Sequence, residues 1–136
     1  MTLQDQLVRD EGCRLKLYVD TRGKTSIGIG RNLTDDGISQ AEAMLLLEND
    51  IEAATASLEK AFPWTMALDV VRLGALINMT FNMGIGGLAQ FKNFLVAVQV
   101  GNWAEARNQM LDSEWVTQVG ARAQRLAIQI ETGVWQ

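Results

Sequence analysis

The chain has 136 residues, 48% of them hydrophobic, which suffices for one compact domain with a substantial core and excludes two ordinary ones. It contains no histidine and a single cysteine, Cys13. That excludes Ser-His-Asp and Cys-His nucleophilic machinery, the common histidine-based zinc sites and any internal disulfide, and leaves carboxylates as the proton carriers. The net charge of −4 argues against general nucleic-acid binding, which needs a basic stripe, and residues 1 to 60 hold 11 of the 16 acidic side chains.

The polar start "MTLQDQLVRDEG" lacks the basic-then-apolar pattern of a secretory signal. No apolar run reaches the roughly 18 to 20 residues that span a bilayer. A soluble chain made in the cytoplasm, without membrane insertion, is therefore expected. Leu3, Leu7 and Val8 recur at helical spacing and Gly12 follows, which predicts a helix over residues 2 to 11 with Glu11 in its last turn. Next, "LKLYVD" and "KTSIGIG" alternate apolar and polar residues around the turn-prone "TRG", the pattern of a short antiparallel hairpin with Asp20 at its corner. "NLTDDG" is loop chemistry. Ser39 and Glu42 match a capping box, and a long helix should run from there to about residue 59 on an apolar face of Met44, Leu47, Ile51, Ala54 and Leu58.

Pro63, the only proline, breaks that helix and is the expected hinge between lobes. Residues 69 to 83, "DVVRLGALINMTFNM", are apolar nearly all round and predict a buried central helix ended by "GIGG". Helices are expected at about 92–99, 103–112 and 120–131, with "SEWVTQVG" as a link and Gly133 as the final stop. The fold class is thus α+β and mostly helical. A small lobe of hairpin and long helix spans about 12–60, and a helical lobe spans about 61–136 with the first helix packed on it.

Two carboxyl groups that flank a glycosidic oxygen can cleave it, one protonating the leaving group and the other activating water or attacking directly. A helix end carrying Glu11 beside a hairpin corner carrying Asp20 would give such a pair a rigid frame. On spacing alone, ordinary surface charge is the plainer description of both. Trp103 and Trp115, at helical spacing among apolar neighbours, are expected in the core, and Cys13 is expected to be a small packing residue.

"DEGCRLKLYVDTRGKTSIGIG" resembles the catalytic signature of the phage-type lysozymes, the endolysins of glycoside hydrolase family 24, in which Glu, eight residues, Asp, five residues and Thr form the catalytic group. "INMTFNMG", "FKNF", "GNW", "SEWVTQVGARAQR" and "ETGVW" extend the resemblance over almost the whole chain. It implies a two-lobed lysozyme fold that hydrolyses the β-1,4 bond between N-acetylmuramic acid and N-acetylglucosamine with inversion. Glu11 would be the general acid and Asp20 the carboxylate that activates water. Ser26 stands where the family has threonine, and it keeps the hydroxyl while losing the methyl that restricts its rotamers. Arg31 stands where many members have histidine, and with Gly30 it would bind substrate, taking a lactyl or peptide carboxylate. Phe81 and Asn82 would border the cleft, and Arg122 matches an arginine near the catalytic glutamate. The short loop between the hairpin and Ser39 implies a trimmed β lobe.

The resemblance further implies a monomer that needs no metal or organic cofactor and acts on a peptidoglycan glycan strand. It would accumulate in the host cytoplasm until a holin-type partner releases it, or be carried in a virion. Two other readings keep the same fold: a non-catalytic glycan-binding or scaffold domain, and a lytic transglycosylase, which needs one acid and no water-activating Asp.

Overall fold

The computed structural model describes residues 1–136, which divide into two compact units, Met1–Leu46 and Leu47–Gln136. No helix is long and apolar enough to cross a membrane.

In the first unit, helix α1 (Leu3–Glu11) starts at a capping box: Thr2 Oγ1 accepts the Asp5 N–H at 3.2 Å and Asp5 Oδ2 accepts the Thr2 N–H at 2.7 Å. It ends at Gly12, whose φ of 75° is a conformation that residues with a β-carbon rarely adopt. The expected hairpin is present as β1 (Arg14–Val19) and β2 (Thr25–Gly28), and β3 (Arg31–Asn32) extends it to an antiparallel sheet of order β1-β2-β3. Tyr18 pairs with Ser26, and Ser26 with Asn32, so Ser26 occupies the middle strand. A two-residue strand leaves no alternation to read, and β3 was accordingly not foreseen.

Helix α2 (Gln40–Ala61) begins at the predicted capping box, with the Glu42 N–H donating to Ser39 Oγ at 3.1 Å and the Ser39 N–H to Glu42 Oε1 at 3.0 Å. The division between units falls inside α2, and not at Pro63 where the sequence placed the hinge. Its first turn is tied to the strands by an ion pair between Arg31 and Glu42, whereas Leu58 near its end is fully buried in the core of the second unit. The expected apolar stripe is buried only there, and Met44, Leu47 and Ile51 remain exposed. Pro63 opens a single 3₁₀ stretch (Pro63–Ala67).

In the second unit, α3 (Val70–Ala89) is capped by Asp69, whose carboxylate accepts the Arg72 N–H at 3.0 Å. Only one face of α3 is buried, with Ala75, Leu76, Met79 and Thr80 inside, whereas Val70 and Phe81 are exposed. "GIGG" interrupts this helix without ending it: Gly84, at φ 73° and ψ 164°, makes a kink, after which the helix resumes and buries Leu88. Then follow α4 (Lys92–Gln99), α5 (Trp103–Leu111), α6 (Trp115–Val119) and α7 (Ala121–Thr132). The expected link "SEWVTQVG" is thus largely the short helix α6.

Helix α7 packs on α3, α5 and α6, and α4 on α5, around Leu76, Met79, Phe94, Met110, Leu126 and Ile130. Trp115 is in this core as predicted, and Trp103 packs half-buried against it. Arg72 locks the bundle. Its Nε donates to the Ile130 carbonyl at 2.7 Å and its Nη2 to that of Glu131 at 3.0 Å, while the guanidinium lies 4.0 Å from the centroid of Trp103. One cation thereby satisfies carbonyls near the end of α7 and covers an aromatic face.

Candidate active site

Within residues 1–46, the end of α1 and the two turns of the sheet hold the predicted acids. Glu11 is the last residue of α1 and is exposed. Its carboxylate lies against the turn between β2 and β3, where a β-carbon on Gly30 would stand 2.9 Å from Glu11 Oε2.

Asp20 forms the β1–β2 turn. Its Oδ1 accepts the backbone N–H groups of Arg22 and Lys24 at 2.8 and 2.9 Å, and its own N–H donates to the Lys24 carbonyl at 2.8 Å. The Lys24 amide bond, against the opposing effect of burial and with help from the Arg22 amide and the Arg22 and Lys24 charges, holds the Asp20 carboxyl below the ordinary carboxylate value. Asp20 is therefore an anion near neutrality, with Oδ1 occupied by the turn and Oδ2 3.9 Å from Arg22 Nη2. Ser26 is buried between Tyr18 and Asn32, with 2% of its surface exposed. Cys13 is exposed, contrary to the expectation of a packing role.

Arg31 is committed inside the protein: its Nη1 donates to Glu42 Oε1 at 2.8 Å and to the Gly37 carbonyl at 3.2 Å. Its charge is thus already matched, which removes the free guanidinium that the sequence reading assigned to a substrate carboxylate. Glu42, facing Arg31 first and the Ser39 backbone and hydroxyl next, is lowered from 4.5 to about 2. The folded state holds this proton less tightly than the unfolded state. The stabilisation is therefore complete above about pH 4.5 and is lost as pH falls through about 2. Glu42→Gln should accordingly flatten the decline in urea midpoint between pH 5 and pH 2 while leaving a lower midpoint at pH 7. Parallel curves for the two proteins would contradict the pairing.

Within residues 47–136, a cavity of about 450 Å³ is lined by Leu73, Gly74, Ile77, Asn78, Phe81, Arg122 and Trp135, among others. Arg122 donates from Nε and Nη2 to Asn78 Oδ1 at 2.9 and 2.7 Å, which fixes its guanidinium at the rim. Asn78 is an exposed partner of this arginine. Asn82 Oδ1 accepts the Trp115 indole N–H at 2.8 Å, so its amide hydrogens face outward for other acceptors. Trp135 was missed as a lining residue. Its ring lies against Gly74, where a side chain at that position would be, and a tryptophan two residues beyond the helix-stopping Gly133 was the only signal for it.

An acid at a helix end and a turn-held carboxylate nine positions on are accompanied by a match of the phage lysozyme family model to residues 8–129. The chain belongs to the phage lysozyme family. That makes it an enzyme of the peptidoglycan-hydrolysing lysozyme class, and its helices with a small antiparallel sheet are the α+β lysozyme fold expected from sequence. It is 32% identical to Probable T4-type lysozyme 1 of Dictyostelium discoideum, covering 97% of this chain and 95% of that protein. It is 35% identical to Pre-baseplate central spike protein Gp5 of Enterobacteria phage T4 over 98% of this chain, but spans only 28% of that protein. The similarity to the Endolysin of Salmonella phage P22 is 35% over 62% of each chain. The alignments to the Dictyostelium lysozyme and the phage T4 spike each extend over 161 positions against the 136 residues of this lysozyme, so both relatives carry segments that it lacks.

Proposed function

We propose that this lysozyme cleaves the β-1,4 bond between N-acetylmuramic acid and N-acetylglucosamine by single displacement. Glu11 gives its proton to the glycosidic oxygen. Asp20 takes a proton from the water that attacks the anomeric carbon from the opposite face, and the Ser26 hydroxyl orients that water. Inversion of this kind needs the two carboxyls about 6.5–9.5 Å apart, with room between for water. The observation that carries the reading is the setting of Asp20: two turn amides fix its Oδ1 at the hairpin corner and favour the ionised form, which suits a held anion that orients water and not a proton donor. On residues 47–136, Phe81 offers a flat apolar surface to a sugar ring, the Asn82 amide a donor to an acetamido carbonyl, and Arg122 a charge to a lactyl or peptide carboxylate. The glycan strand is the one partner this chemistry requires. Accumulation in the host cytoplasm followed by holin-dependent release is the corresponding setting.

Digestion of purified cell wall tests the reaction. New reducing ends with an inverted anomeric configuration are expected from the wild type, and none from Glu11→Gln or Asp20→Asn. Anhydro-muramyl ends would identify a transglycosylase, and the absence of any product would identify a glycan-binding domain.

A further inference from the structure

Two glycines share nearly the same positive φ, Gly28 at the end of β2 (+70°) and Gly30 in the turn that leads to β3 (+69°). Their surroundings differ. A β-carbon on Gly28 would meet nothing within 4 Å, whereas one on Gly30 would stand 2.9 Å from Oε2, 3.3 Å from Cδ and 3.5 Å from Cγ of Glu11. The turn is pinned on both sides of this contact: Ile27 pairs with Arg31 across it, and Arg31 is bound to Glu42 at 2.8 Å and to the Gly37 carbonyl at 3.2 Å.

We propose that Gly30 is a positioning residue for the acid, its bare α-carbon forming a fixed wall against which the Glu11 carboxylate is set, and that the Arg31–Glu42 pair holds that wall in place. The inference rests on the reading of Glu11 as proton donor. A terminal glutamate has three side-chain torsions to fix, and hydrolysis is sensitive to where its proton points. Displacement of a catalytic group by about 1 Å can cost about 100-fold in rate. A methyl at position 30 would occupy space that the carboxylate now fills, so the side chain must turn away.

Gly28→Ala and Gly30→Ala separate this effect from backbone strain, because both force a β-carbon onto a positive φ near 70°. Both melting temperatures should fall. Only Gly30→Ala should lower kcat on soluble glycan oligomers, by about 100-fold with KM little changed and a shifted acid limb of the pH–rate profile. Equal kcat values for the two variants would overturn the proposal. If Gly30→Ala does not fold, Glu42→Gln carries the test, since it loosens Arg31 without touching Glu11. A several-fold fall in kcat with a shifted acid limb is then expected, and an unchanged profile overturns the proposal. Glu11→Gln distinguishes the two levels: a fully active Glu11→Gln overturns the acid assignment and this inference with it. An inactive Glu11→Gln beside indistinguishable glycine variants overturns the inference alone.

Discussion

Glu11→Gln is expected to lower kcat for wall hydrolysis by about 100- to 10,000-fold, the range contributed by a positioned general acid or base. The amide retains the size of the carboxyl and removes only the transferable proton, so KM should change little and the melting temperature should not fall. Nothing in the fold depends on that carboxylate, which is exposed at the end of α1. Asp20→Asn should give a loss in the same range, but with a different companion effect. Its Oδ1 accepts two turn amides, so an asparagine can preserve the turn only by presenting its carbonyl oxygen to Arg22 and Lys24. Stability should therefore decline slightly in Asp20→Asn and not in Glu11→Gln, as read by urea titration beside the kinetics. Retained activity in both variants would remove the two-carboxylate mechanism.

The largest expected loss of stability is at Phe94, which is 1% exposed. Its ring meets Phe91 edge-on at 6.2 Å, and Phe91 meets Trp115 edge-on at 6.2 Å, so three aromatic rings fill one layer between α4 and α6. Phe94→Ala should destabilise the protein by about 3–5 kcal/mol through lost burial and the cavity left behind. That is a large part of the roughly 5–15 kcal/mol typical of whole domains. Val96, on the same helix, is 60% exposed, and Val96→Ala should stay within about 0.5 kcal/mol. Denaturant midpoints compare the two directly. Similar values would mean that this aromatic layer is not the core of the second unit.

Local signals in the sequence carried much of this fold, and they failed where structure depends on distant partners. Gly12, Ser39 with Glu42, and Gly133 each act within a few residues of the helix end they mark, so the ends of α1 and α7 and the start of α2 were readable from neighbours alone. The alternation flanking "TRG" likewise revealed β1 and β2. The two residues of β3 and the five of α6 are too short to repeat a pattern. "GIGG" reads as a stop because glycine favours the positive φ that usually ends a helix, yet the helix resumes beyond Gly84 and buries Leu88.

The same distinction runs through the candidate site. Glu11 and Asp20 emerged from the chemistry of paired acids, and the family resemblance gave them roles. What grips the surrounding residues was hidden, because Arg31 finds Glu42 11 residues away, Asn82 finds Trp115 at 33, and Asn78 finds Arg122 at 44. Arg31 shows the consequence most plainly. An arginine in a polar loop looks free until an acid from the next helix is brought to it.

The clasp formed by Arg72 has a bearing on how the protein is born. It joins the start of α3 to carbonyls 58 and 59 residues downstream, and α7, the last helix, closes against α3 and α5. During synthesis the hydrophobic interior of residues 47–136 must stay open until α7 has been made and has emerged from the ribosome. A nascent chain halted within α6 would display Leu76, Met79 and Met110 without their cover, and would be work for chaperones.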